Sequence, residues 1–429
     1  MPALVYLSYS YPPLSSGATP RNLLLPKFLG EVGWRFSVVT SSNPRGMPID
    51  ASLEDLIPKG TEVSRVYHPD PMTILRKCIG RKTGPNKGGV GQESPQTLRS
   101  RVRRWLLMPD RVITWAPTLI PAVHRVVRRT GADVIVSTGP PHSLHLMAWA
   151  CSRLCSVPFV PYFGDLWSYD SYVDFSSNAL QRLHSMLEAM VVGAASGIVT
   201  TTPRSSDYFR RRYGRRCPPV HTVINGYDPD LPAPEAKPAG KGSMRVVYTG
   251  NFVGANTPDF LPRGFELFLE RNPEARVEFR FFGRMEGGYE QKFQSPLLRK
   301  AVRIHGTVAR ERAASEQVRG DLLLACLVDR PGAELKNPAK IAEYARAGRR
   351  VLAIGPQGDM TDLVDGLNLG YTAAPKPEAV ASALERAYAD HTAGGSVSRA
   401  DFEEVDRVFN MRSNCRSLDL FLRREVLHD

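Results

Sequence analysis

The sequence predicts an α/β protein made of two halves, each a mostly parallel β-sheet flanked by helices. Three observations predict it. Short apolar runs alternate with amphipathic stretches at the spacing of βα units. The alternation breaks once, at Pro229–Ser243, which holds four prolines, two glycines and almost no apolar residue, and then restarts. The length of 429 residues and a 42% hydrophobic content suffice for two ordinary cores.

The elements follow in order. Leu4–Leu7 reads as a strand, Pro20–Val32 as a helix and Phe36–Val39 as a strand. Val134–Ser137 is a strand, Ser143–Cys155 a helix and Phe159–Tyr162 a strand, with Gly197–Thr201 and Val220–Ile224 continuing the series. Beyond the proline-rich stretch, Arg245–Thr249 and Val277–Phe282 are strands around a helix over Pro258–Arg271. Leu322–Leu327, Val351–Ile354 and Leu369–Tyr371 are further strands, and residues 309–319, 338–347, 359–365 and 376–390 are helices. The last 25 or so residues read as helical, through Leu418–Leu427. This divides the chain into a domain over 1–228, a linker over 229–243, a second domain over 244–405 and a terminal helix over 406–429.

Charge and cysteine content narrow the classes. The net charge is +13, and segments 76–104 and 203–216, with excesses of eight and five, account for all of it. Neither segment interleaves aromatics or forms a known nucleic-acid module, so no nucleic-acid partner is expected. Clustered cations suit peripheral contact with an anionic membrane, and a solvated loop and helix face explain them equally. The stretch Gly80–Gln96 is of low complexity and reads as a mobile loop. Trp105-Leu-Leu-Met108 follows it and either docks on such a membrane or packs into the first core. The six cysteines include no CxxC pair, which fits reduced thiols in a cytoplasmic protein. No signal peptide is evident. The longest apolar attempt, Met186–Thr201, is broken by Glu188, Gly193 and Gly197, so no membrane span is expected.

Candidate site residues cluster at strand ends, where open α/β sheets bind ligands. The first βα turn, Ser8–Asn22, is long; Gly17 leaves room for a ligand near its backbone, and the helix from Pro20 offers N–H groups. A stiff proline turn is the other reading. His142 follows the strand Val134–Ser137 at a helix start, placed to orient a hydroxyl or a developing charge. His145, one turn on, reads as packing or helix surface. Asp165 follows the next strand within Phe-Gly-Asp-Leu-Trp167, and either holds an acceptor hydroxyl as a base or caps a helix.

In the second half, Tyr248-Thr-Gly-Asn251 and Phe282-Gly-Arg284 each place a glycine at a strand end, where backbone makes room for phosphate. Neither GxGxxG nor GxxxxGK[ST] occurs. The strongest local signal is Asn337-Pro-Ala-Lys-Ile-Ala-Glu-Tyr-Ala-Arg-Ala-Gly348. Pro338 suits a first helical turn and Gly348 the position past the end. Lys340 could neutralise a diphosphate, and Glu343 could accept both ribose hydroxyls. The bland alternative is an i,i+3 salt bridge between them. Asp228-Pro-Asp230 resembles a metal-binding DxD but lies in the linker, and no metal or cofactor is expected.

These motifs together resemble the GT-B glycosyltransferases of the family 4 type. The resemblance covers nearly the whole chain. It is carried by the Tyr-Pro-Pro…Gly…Arg21 loop, Ser-Thr-Gly-Pro-Pro-His-Ser143, Asp-Leu-Trp167, Ile-Asn-Gly-Tyr-Asp228 and Pro-Ala-Lys-Ile-Ala-Glu-Tyr-Ala345. It implies two Rossmann-like domains facing across a cleft, with the terminal helix returning to the first. It also implies retaining, metal-independent transfer from a nucleotide-sugar, UDP-linked before GDP- or dTDP-linked, to a glycan, lipid-linked or small-molecule acceptor. By resemblance, Gly250, Asn251, Gly283, Arg284, Asn337, Lys340, Ile341 and Glu343 bind the donor. From their places at strand ends, Gly17, Arg21 and His142 are expected to bind the acceptor, and His142 and Asp165 to serve catalysis together with Arg284 and Lys340, the cations that the resemblance sets against the diphosphate. Two features depart from the family's pattern. Its paired glutamates stand eight apart, whereas here Leu335 occupies that place and Glu334 lies nine before Glu343. Phe252–Thr257 replaces a common Arg/Lys pair. An epimerase or hydrolase on the same fold, or a non-catalytic nucleotide-sugar binder, are the alternatives.

Overall fold

The computed structural model describes all residues except 45–47, 70–106, 170–177, 233–241, 255–256, 396–397 and 399. The basic segment 76–104, Trp105 and most of the linker therefore lie outside the described residues. The chain forms two compact units. The first runs to Ile224 and includes Met411–Asp429; the second runs from Asn225 to Asn410.

The first unit is a seven-stranded parallel sheet. Its strands are β1 (Ala3–Leu7), β2 (Arg35–Ser41), β3 (Glu62–Val66), β4 (Val134–Gly139), β5 (Phe159–Phe163), β6 (Ile198–Thr200) and β7 (Val220–Thr222), in the order β3-β2-β1-β4-β5-β6-β7. Strands β1, β4 and β5 are buried along their whole length, which is why they read as continuous apolar runs and not as alternating ones. Helix α1 (Thr19–Glu31) follows β1. Helices α2 (Ala116–Thr130), α3 (Ser143–Cys155), α4 (Asn178–Ala194) and α5 (Pro203–Tyr213) follow in turn. The apolar run Met186–Thr201 proves to be the end of α4, a turn and β6. No helix among the described residues is long and apolar enough to cross a membrane.

The second unit repeats the plan with six parallel strands. They are β8 (Met244–Thr249), β9 (Val277–Phe282), β10 (Val302–Ile304), β11 (Leu322–Cys326), β12 (Arg350–Ile354) and β13 (Gly370–Ala373), in the order β10-β9-β8-β11-β12-β13. Its helices are α6 (Phe260–Arg271), α7 (Pro296–Ala301), α8 (Arg310–Arg319), α9 (Lys340–Arg346), α10 (Asp359–Gly366), α11 (Pro377–Thr392) and α12 (Phe402–Phe409). Phe265 of α6 stacks on Phe279 of β9 at 3.8 Å, at the centre of the core. The two ends of this unit are tied together: Tyr227 donates through its hydroxyl to Asp406 at 2.8 Å and through its N–H to Phe409 O.

The chain ends in α13 (Met411–Phe421), which continues as a π-type turn over Leu422–Leu427. Met411, Cys415, Leu418, Phe421, Leu422 and Val426 are buried in one core with Tyr6, Phe28 and Trp34 of the first unit. The Trp34 indole N–H donates to Asp419 at 2.7 Å.

Candidate functional site

Each sheet reverses its order once, between β1 and β4 in the first unit and between β8 and β11 in the second. The crevice beyond the strand ends at such a point is where open α/β sheets take their ligands.

In the second unit, β8 and β11 pair only through Val246–Leu322 and Val247–Leu323. Beyond that the strands part, and the Tyr344 hydroxyl of α9 spans the gap. It accepts from Thr249 N at 3.2 Å, donates to Leu324 O at 3.3 Å and lies 3.1 Å from Thr249 Oγ1. This anchors α9 over the crevice. The helix is shorter than the expected 338–347. It begins at Lys340, because Pro338 and Ala339 form a tighter entry in which Pro338 O accepts from Ile341 N. Gly348, at φ +64°, closes it as a left-handed residue.

Gly250 and Gly283 end β8 and β9 at φ +142° and +140°, where side chains are strained. A Cβ on Gly283 would stand 2.0 Å from Gly250 O, and one on Gly250 would stand 2.8 Å from Lys340 Nζ. The two turns are zipped together: Gly250 N donates to Phe282 O, Phe252 N to Arg284 O, and Arg284 N to Asn251 Oδ1 at 2.8 Å. Asn251 thus orders the turn that carries Arg284. The Arg284 guanidinium is exposed and pairs with Glu286 at 2.8 Å.

Lys340 Nζ lies 3.9 Å from the centroid of the Tyr248 ring. Burial pushes this ammonium down to about 8, with Cys326 and Glu343 nearby opposing the shift. Lys340 and Glu343 make no ion pair with each other, so the salt-bridge alternative is not realised. Glu343 Oε2 instead accepts from Gln317 Nε2 at 3.2 Å. Asn337 is 8% exposed, and its Oδ1 has no hydrogen-bond partner among the described residues. Ile341 is wholly buried, which leaves only its backbone for a ligand.

In the first unit, Arg21 is buried at 6% exposure. It donates to Thr138 Oγ1 at 3.0 Å and stacks over Tyr162 at 4.7 Å. Asn22 beside it braces the β1 turn, donating to Ser8 Oγ and Ser10 O and accepting from Tyr6 Oη. Gly17 is exposed, and a Cβ there would meet open space, so the chain's own packing does not demand glycine at that position.

His142 opens α3 and is buried, its ring parallel to the Trp167 indole at 5.3 Å. Trp167 in turn donates to His184 Nδ1 at 2.9 Å. Asp110 holds the turn from below, accepting from Ser143 N at 2.9 Å and Ser143 Oγ at 2.6 Å; burial raises its pKa against those bonds. His145 is fully buried and pairs with Ser137 Oγ at 2.7 Å, so it is packing and not helix surface. Burial lowers its pKa well below the usual range and keeps it neutral. Asp165 is half-buried in the turn after β5, next to Gly164, whose N–H donates to Gly139 O. Arg21, His142 and Asp165 therefore share one end of the first sheet, whereas Gly250, Arg284, Lys340 and Glu343 share one end of the second.

Sequence reasoning assigned no role to Tyr248, Thr249, Gln317 or Tyr344 in the second unit, nor to Asp110 and Trp167 in the first. Of these, Tyr248, Thr249, Trp167 and Tyr344 stood inside motifs that the sequence singled out, whereas Gln317 and Asp110 carried no signal. Among the described residues no cluster of His, Cys, Asp or Glu is arranged to hold a metal ion.

Two parallel sheets of this order, each with a polar site at its switch point, make the GT-B fold, the one that glycosyltransferases of similar structure share. More particularly, residues 25–226 match the model of the glycosyl transferase 4-like domain. The structure is similar to that of sucrose-phosphate synthase from Thermosynechococcus elongatus, with a TM-score of 0.71, 14% identity and 99% of each chain covered. It is also similar to Anabaena HepE in complex with UDP-glucose, with a TM-score of 0.64, 14% identity and 98% and 99% of the two chains covered. TarM aligns with a TM-score of 0.64, 11% identity and 99% of each chain covered. At such identities the likeness is one of fold. Compared by sequence, no curated protein matches the chain.

Proposed function

We propose that the protein is a retaining, metal-independent transferase that moves a sugar from a nucleoside-diphosphate donor, a UDP-sugar foremost, to an acceptor hydroxyl. The observation that carries this reading is Lys340. Its ammonium faces Gly250 and is free of Glu343, beside two turns whose glycines leave backbone open to a phosphate. As the C1–O bond to the diphosphate breaks, charge grows on the leaving oxygen. Lys340 and Arg284 would offset it without a metal. Arg284 would exchange Glu286 for the phosphate. Glu343 would take the ribose hydroxyls, and Gly283, Asn251, Asn337 and the Ile341 backbone would complete the donor wall. Anabaena HepE, which was solved with UDP and with UDP-glucose, supports a uridine nucleotide.

The first unit would take the acceptor, a glycan, a lipid-linked glycan or a small molecule. His142 or Asp165 would receive its proton, with Arg21 and Gly17 at the same end. Retention of configuration rests on the resemblance of the α9 segment to the family's donor-binding helix. A cytoplasmic protein with peripheral contact through the basic segment 76–104 belongs to the same reading, and deleting residues 80–100 tests that contact by liposome co-sedimentation.

The deciding experiment is a thermal-shift screen against UDP-, GDP- and dTDP-sugars, followed by nucleotide release with and without acceptors. Acceptor-dependent release with an unchanged anomeric configuration supports the proposal. Acceptor-independent release or isomerisation would make the protein a hydrolase or epimerase. Binding without turnover would make it a non-catalytic binder.

A further inference from the structure

Lys340 and Glu343 stand one helical turn apart, near enough for the usual i,i+3 attraction, yet they do not pair. The reason lies on another helix. Gln317 of α8 is buried at 6% exposure, and its Nε2 donates both to Glu343 Oε2 at 3.2 Å and to Thr249 Oγ1 at 2.9 Å. An amide nitrogen has two hydrogens, so these bonds use its donors fully. Thr249 is itself fixed by the Tyr344 hydroxyl, so the amide hangs from a rigid point. One carboxylate oxygen of Glu343 is thereby committed, while Oε1 makes no hydrogen bond among the described residues. Thr249 precedes Gly250, so the same amide joins the Glu343 carboxylate to the turn beside Lys340.

We infer that Gln317 is a positioning residue that holds the Glu343 carboxylate away from the Lys340 ammonium, keeping a diol-binding group and a diphosphate-binding group separate on one helical turn. This rests on the donor reading above. Without Gln317, Glu343 is free to swing toward Lys340. The carboxylate is then lost to the ribose, and the cation is partly neutralised for the phosphates.

The test is calorimetric binding of UDP, 2′-deoxy-UDP and inorganic pyrophosphate, with GDP and its 2′-deoxy analogue as the alternate pair. The proteins are the unaltered chain, Q317M, E343Q and the double variant, each checked for an unchanged melting profile. Q317E replaces Q317M if the latter is poorly folded, since its carboxylate is of like size and repels Glu343. A hydrogen bond to a charged group corresponds to roughly ten- to hundredfold in affinity, so the unaltered protein should prefer UDP over 2′-deoxy-UDP by about that factor. Q317M should reduce this preference to within about threefold and weaken pyrophosphate several-fold. The double variant should regain the pyrophosphate affinity, because no carboxylate is left to capture Lys340. If Q317M weakens both nucleotides equally and leaves their ratio intact, Gln317 is merely structural and the inference fails. If E343Q itself keeps the full preference, the ribose role of Glu343 is wrong, and the inference falls with it.

Discussion

The Lys340 ammonium rests on the face of the Tyr248 ring, 3.9 Å from its centroid, next to the α-carbon of Gly250. An aromatic face stabilises a cation but lends it no proton acceptor, so the charge stays available to an anion. Burial brings its pKa to about 8, which places its titration in an accessible range. Below that pH the ammonium is charged and, on the proposed reading, holds a diphosphate; above it the charge and the affinity decline. Nucleoside-diphosphate affinity should therefore fall severalfold between pH 7 and pH 9.5. K340M should bind weakly with a flat profile over the same range. The sign for the unliganded protein is opposite. The folded pKa is depressed from 10.5, so between about 8 and 10.5 the unfolded chain holds the extra proton, and stability gains from rising pH. The stability of the unaltered chain relative to K340M should therefore rise across that window.

Gly283 is fixed by its neighbour. Its φ of +140° and the 2.0 Å approach of Gly250 O leave no place for a Cβ. G283A should cost more than about 2 kcal/mol in denaturant unfolding and abolish nucleotide binding. An alanine variant of near-native stability would show that the two turns move apart freely.

The proposed donor wall was more legible than its supports, for a physical reason. Lys340, Glu343 and Gly348 belong to one short helix, and Gly250 and Gly283 follow apolar runs, so each signal is local in the chain. Gln317 and Tyr344 act across 68 and 95 residues on Thr249, a relationship that only the fold creates. Asp110 likewise reaches 33 residues to Ser143. The buried central strands were readable because they lack polar faces. Helix α4 was masked because its apolar end runs on into β6, blending two periods in one stretch. Two prolines within Ala116–Thr130 hid α2 in the same way.

Tyr344 illustrates the cost of a missing support. Y344F removes the oxygen that accepts the Thr249 N–H and donates to Leu324 O. A buried N–H left unsatisfied costs about 1–3 kcal/mol. Chemical denaturation should register that loss, and nucleotide affinity should fall with it, since Thr249 leads into the Gly250 turn. Equal stability of Y344F and the unaltered chain would mean that the β8–β11 gap is bridged by other means.

Asp110 stabilises the start of α3, the turn that carries His142, by accepting from both Ser143 donors. Burial opposes its charge. D110A should lose about 1–2 kcal/mol, as at a helix cap. D110N keeps an acceptor without the charge and should lose less. The order of the two unfolding midpoints tests this; a larger loss in D110N would mean that the negative charge itself is required.

The terminal helix is integral to the first unit. Six of its side chains, from Met411 to Val426, are buried in that core, and Trp34 and Asp419 fix its register. At about 1.5–3 kcal/mol for each buried apolar side chain, the segment contributes on the order of 10 kcal/mol. That is comparable to the whole stability of a typical domain. Removing residues 411–429 should therefore unfold the first unit and leave the second, whose own ends are joined by Tyr227 and Asp406. Limited proteolysis should then yield a protected fragment spanning roughly the second unit alone, with loss of the first unit's circular-dichroism signal. W34F, which removes the indole donor and part of a buried ring, should shift the melting temperature by a few degrees and leave both units protected.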